Sequence, residues 1–73
     1  MKIIYEEFTT KTGNGTVIQN NFAIIKCHGK YLTMNIRRYP GWSNDRLDIR
    51  HTREFSTEAE AREHMKTIKT WDG

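Results

Sequence analysis

Cysteine is nearly missing from this 73-residue chain: Cys27 stands alone, so no internal disulfide forms and the fold must be held by packing. Proline occurs once, at Pro40, and no linker, low-complexity tract or internal repeat breaks the chain. Long apolar runs are absent too. The longest is Phe22 to Ile25, far short of the roughly 18 residues that a spanning helix needs. Neither a signal-peptide apolar region nor a lipid anchor can be read from its start. These absences exclude a stapled secreted domain and a helical membrane protein, and the expected compartment is the cytoplasm.

The remaining composition is that of one small globular domain spanning residues 1–73. Hydrophobic residues make up 36% and charged residues 29%, with a mean hydropathy of −0.82 and a mass of 8.7 kDa. That is enough apolar material for one two-layer core and no more. The net charge of +3 is unevenly spread. Residues 26–53 hold Lys26, Lys30, Arg37, Arg38, Arg46, Arg50 and Arg53 against Asp45 and Asp48, whereas residues 1–25 are balanced and residues 54–73 are acidic. A concentrated basic segment attracts polyanions, so its position bears on partners and not on fold.

Periodicity predicts strands first and a helix last. Lys2 to Phe8 is rich in β-branched and aromatic residues, and the Asn14-Gly15 pair downstream is a strong hairpin signal because both positions tolerate positive φ. A second strand follows from Thr16 to Cys27, with a bulge or bend expected at Gln19-Asn20-Asn21 that leaves its facing open. His28-Gly29 supplies the next tight turn. From Tyr31 to Tyr39, Leu32, Met34 and Ile36 alternate with Tyr31, Thr33, Asn35, Arg37 and Tyr39, and from Arg46 to Arg53, Leu47 and Ile49 alternate with Arg46, Asp48 and Arg50. Thr57-Glu58-Ala59-Glu60 is a capping box, and Ala61, His64, Met65, Ile68 and Trp71 then form one apolar stripe. The expected architecture is α+β: a four-stranded antiparallel meander with a C-terminal helix packed on one face. Its expected core holds Leu32, Met34, Ile36, Leu47, Ile49, Phe55, Ala61, Met65 and Ile68, joined by Ile18, Phe22 and Ile24 or by the opposite parity of the second strand. One helix covers one face, so the other is left open to solvent, to a partner or to a second copy.

Catalytic chemistry finds little support. Cys27, His28, His51 and His64 lack the spacing of a zinc site, and Cys27 next to His28 points to opposite faces of a strand. Gly13-Asn14-Gly15 enters a strand, not a helix, so it is a turn and not a phosphate cradle. No catalytic residue, metal or cofactor is expected, and the chain reads as a non-enzyme. The constellation that rises above composition is the alternating polar set. Lys30, Tyr31, Thr33, Asn35, Arg37, Tyr39, Arg46 and Arg50 place aromatic platforms, amide and hydroxyl groups and guanidinium ions together, each useful on nucleic acid. Cross-strand pairing alone would also select them. Trp42, in the Pro40 to Asp45 loop, and Arg38 are the candidate anchors for a protein partner.

Phe55-Ser56-Thr57-Glu58-Ala59-Glu60-Ala61 fits a Phe-x-Thr-x-x-Glu-Ala pattern at a strand-to-helix junction. With the strands before it, the stretch from Phe22 to Thr70 resembles the arm-type DNA-binding domain of phage and transposon integrases. That resemblance implies a three-stranded sheet backed by one helix, with its exposed face in the major groove and reading roles for Tyr31, Thr33, Asn35, Arg37, Arg46 and Arg50. The nucleic acid it implies is DNA rather than RNA. In size and style the chain is also similar to bacteriophage accessory proteins, which bind and inhibit a host enzyme or defence complex. Under that likeness the open face and Trp42 form a protein interface.

Overall fold

The computed structural model describes residues 1–41 and 46–72. Four antiparallel strands, β1 (Lys2–Gly13), β2 (Thr16–Cys27), β3 (Lys30–Arg38) and β4 (Leu47–Phe55), form one open sheet in the order β1-β2-β3-β4. Helix α1 (Glu58–Asp72) crosses one face. This is the expected α+β meander. Both tight turns are as the sequence indicates: Asn14 and Gly15 have φ of 53° and 77°, and His28 and Gly29 have 51° and 75°. Left-handed backbone at both central residues matches the twist of the strands, which is why these two-residue loops close hairpins. β1 runs five residues beyond Phe8, because a hairpin closed at Asn14-Gly15 pairs Thr9 with Asn20 and Gly13 with Thr16. β2 passes through Gln19-Asn20-Asn21 with no break in register. The irregularities lie instead between Ile3 and Tyr5 and between Thr33 and Asn35.

The helix starts where its cap predicts. The Glu60 amide donates to Thr57 Oγ1 at 3.3 Å, and the Thr57 hydroxyl donates to Glu60 Oε1 at 2.9 Å. Arg62 pairs with Glu58 one turn back at 2.7 Å. Ala61, Met65 and Ile68, at helical spacing, are buried against Phe22 and Ile24 of β2, and Ile4, Tyr5, Tyr31 and Phe55 pack around this cluster.

The facing of β3 and β4 corrects the sequence expectation. A two-residue turn at His28-Gly29 pairs Cys27 with Lys30, so Phe22 lies beside Asn35 and Ile24 beside Thr33. Strand side chains alternate between faces, and this register places Tyr31, Thr33, Asn35 and Arg37 under the helix. Leu32, Met34 and Ile36, expected in the core, share the opposite face with Ala23 and Ile25, and with Leu47 and Ile49 of β4. Met34 and Ala23 are still buried there by their neighbours, but Leu47 and Ile49 are 58% and 61% exposed.

A contrast of three variants checks the facing by urea denaturation of dilute protein, followed by circular dichroism. Phe22→Ala, at a site with no exposure, should cost about 3–5 kcal/mol. Ile49→Ala should stay within about 0.5 kcal/mol of the parent. Met65→Asp, which sets a carboxylate inside the helix–sheet layer, should abolish the cooperative transition.

Candidate functional site: the uncovered sheet face

The polar residues of β3 are occupied beneath the helix. Asp72, 5% exposed at the end of α1, accepts from Asn35 Nδ2 at 2.8 Å, and Arg37 Nη2 lies 3.9 Å from its other oxygen. Asn20 Oδ1 receives Asn35 Nδ2 at 3.1 Å and Arg37 Nε at 3.4 Å, while Asn20 Nδ2 reaches the Asp72 carbonyl at 3.4 Å. His51 Nε2 sits 2.9 Å from Asp72 Oδ2, close enough for attraction but without the in-line geometry of a hydrogen bond. His51 reaches this position because Met34 faces two residues, His51 and Thr52, across a bulge. The bulge sets His51 at a φ of 57°. Left-handed backbone at a non-glycine residue costs of order 1–3 kcal/mol and persists only where its surroundings over-determine it; here the Asp72 contact does so. The Thr33 hydroxyl reaches the carbonyls of His51 and Arg53 on the same bulged segment at 3.5 and 3.4 Å.

Burial works to raise the Asp72 carboxyl, but the Asn35 hydrogen bond and the charges of His51, Arg50 and Arg37 outweigh it and hold it below its ordinary range. His64, ringed by Phe55 at 5.1 Å and Trp71 at 6.4 Å, has its basicity lowered by burial and by the nearby charges of Arg53 and His51.

The expected nucleic-acid readers are therefore not gathered on an open face. Thr33 and Asn35 have no exposure, and Arg37 is half-buried in the Asp72 cluster. Tyr31 packs against the core with Lys26 over its ring at 5.6 Å. Arg50 and Tyr39 are half-buried, and the Tyr39 amide bonds the Arg46 carbonyl at 3.1 Å. Lys30, Arg38 and Arg46 are exposed, with Arg46 held to Asp48 at 3.4 Å. Trp42 lies outside the described residues. The register explains the misplacement, since it turns the alternating polar set of β3 toward the helix.

What the sheet presents outward is in good part apolar. Across its strands lie four cross-strand rows: Ile3, Ile25, Leu32 and Glu54; Glu6, Ala23, Met34 and Thr52; Phe8, Asn21, Ile36 and Ile49; Thr10, Gln19, Arg38 and Leu47. No element covers them among the described residues. Ile3, Phe8, Leu47 and Ile49 are each more than half exposed, Phe8 at 70%. A shallow groove of about 180 Å³ runs between Phe8, Asn21, Ile36 and Leu47. Single exposed apolar side chains are ordinary, whereas several gathered on one uncovered sheet face are not. The signal for it was in the sequence, where Phe22 to Ile25 is apolar at every position, as in a strand covered on both faces.

Among the described residues no group of three histidine, cysteine or acidic side chains is placed to hold a metal, and no helix is long and apolar enough to cross a membrane. No protein-family model, no curated protein and no solved structure matches this chain.

The acid side of the stability profile tests the cluster. As the pH falls through about 6.5, the unfolded chain takes up a proton that folded His64 resists, so stability starts to drop. The contribution of Asp72 is present in full above about pH 4 and is lost as the pH falls through its lowered folded value. Asp72→Asn should cost about 1–3 kcal/mol at neutral pH, since it leaves Arg37 facing no charge, and should flatten the lower limb. His64→Gln should remove the upper one. Thermal melts from pH 8 to pH 3 read both.

Proposed function

We propose that this protein is a non-catalytic interaction module that works by docking its uncovered sheet face on another protein surface. The observation that carries this reading is the uncovered face that gathers Ile3, Phe8, Ile25, Leu32, Ile36, Leu47 and Ile49, with Asn21 between Phe8 and Ile36, opposite the face that the helix occupies. A largely apolar centre with its charged residues toward the margin, here Glu6 on the β1 edge, Arg38 in the last row and Glu54 at a corner, is the anatomy of a protein interface. The sheet edges are less suited to docking. β1 is interrupted near Ile3 and Tyr5, and β4 is bulged at His51, both devices that discourage strand addition. The partner-binding role expected of the open face thus rests on a different set of residues from the aromatic and arginine groups first singled out.

A second reading retains nucleic acid as the partner, with DNA ahead of RNA. It is favoured by exposed Lys26, Lys30, Arg46 and Arg53 within the basic segment, which suit contact with phosphates rather than base reading. The two readings differ in their response to salt, because displacement of counterions makes phosphate binding weaken steeply as salt rises.

Photo-crosslinking in cells separates them. With a benzophenone amino acid at position 49 or position 8, protein adducts should form, and the same group at position 66 on the exposed side of the helix should give none. Adducts from position 66 alone, or none from the sheet face, would reject the docking reading. Duplex DNA binding with a steep salt slope, lost in a Lys30→Ala/Arg53→Ala variant, would favour the second.

A further inference from the structure

We infer that the occupant of the open face is a second copy of this chain, seated face to face about a two-fold axis that runs parallel to the strands between β2 and β3. This rests on the docking reading above and commits it to one partner. Two sheets that pack face to face keep their strands within about 30° of alignment, and a two-fold axis demands that the patch be complementary to itself. The described rows meet that demand. The axis carries each β2 position onto β3 of the other copy and each β1 position onto β4. Small Ala23 then meets Met34, Ile25 meets Leu32 and Phe8 meets Ile49, while Asn21 and Thr10 meet Ile36 and Leu47.

Charge selects this axis over the perpendicular one. About the axis parallel to the strands, Glu6 faces Thr52 and Arg38 faces Gln19, both polar, and Glu54 falls at a corner beside Ile3 where water reaches it. A two-fold running across the strands, centred between the Met34 and Ile36 rows, would instead press Glu6 on Phe8, Arg38 on Leu32 and Glu54 on Leu47. Glu6 and Arg38 would then meet apolar side chains in place of polar ones, while Glu54 stays at a corner against an apolar residue in either arrangement. The first arrangement also never sets a residue on its own symmetry mate, so no like charges meet.

The area is sufficient for a weak dimer. Four strands about 4.8 Å apart and four rows about 6.8 Å apart give a patch of about 500 Å² on each copy. The pair therefore buries about 1,000 Å², at the threshold of a specific interface and in the range of transient association. The molecule has room for it, with extents of 40 × 23 × 15 Å.

Sedimentation equilibrium from about 10 μM to about 1 mM should show the mass rise from 8.7 kDa toward twice that value. Phe8→Glu and Ile49→Glu, at sites exposed in a single copy, should stay at the single-chain mass with unchanged far-ultraviolet circular dichroism. The axis is tested in a Cys27→Ser background by mixing a Phe8→Cys chain with an Ile49→Cys chain under mild oxidation. The mixed disulfide should form at least tenfold faster than either disulfide between like chains. A single-chain mass at the highest concentration, or like-chain disulfides outpacing the mixed one, overturns the proposal. Crosslinks from positions 8 and 49 to a different protein would overturn the dimer and leave the docking face standing, and absence of any crosslink would overturn both.

Discussion

The buried carboxylate of Asp72 decides which face of the sheet the helix covers. A sheet whose central strand is apolar on both sides offers the stripe of α1 two places to pack, and hydrophobic burial alone discriminates weakly between them. Asp72 does not share that indifference. A buried carboxylate needs a donor and opposite charge, and on one face alone among the described residues Asn35 donates to it while Arg37 and His51 lie close to its oxygens; Asn20, on the same face, donates to the Asp72 main-chain carbonyl. The opposite face offers Asn21, which already donates to Glu6, and Gln19 and Arg38 only at its margin. The polar cluster thus acts less as a source of net stability than as a means of specifying one arrangement over another, as buried polar groups do in some other folds.

Everything outward follows from that choice. With the helix tied at its end to β2, β3 and β4, Phe22 and Ile24 become core, and Ala23, Ile25, Leu32, Met34 and Ile36 become the centre of an uncovered surface. The strained backbone at His51 belongs to the same event, since the bulge turns its imidazole toward Asp72. No element covers the apolar outer face among the described residues, so there it is either a cost in solubility or a place for another protein.

Elements and turns were legible because they depend on neighbours in sequence. Asn14-Gly15 and His28-Gly29 close their hairpins by local backbone preference, and Thr57 and Glu60 start the helix by bonds within one turn. Ala61, Met65 and Ile68 were readable as core because a helix carries a single apolar stripe. The facing of β3 was not readable in the same way. Its alternation of Leu32, Met34 and Ile36 with Thr33, Asn35 and Arg37 states correctly that the two sides differ, but the side facing the helix is set elsewhere. The usual inference that apolar means inward fails here because the polar side has a buried carboxylate to meet.

The sequence by itself determined the four strands, the single capped helix, their order and the contrast between the two faces, since each follows from short-range sterics and side-chain period. Tertiary structure alone decided which face was covered. That decision joins Asn20, Asn35, His51 and Asp72, residues up to 52 positions apart, and no local pattern encodes a hydrogen bond over that separation. The result exchanges the two roles that a one-dimensional reading assigns: the aromatic and amide groups of β3 hold the fold together, and its aliphatic groups face outward.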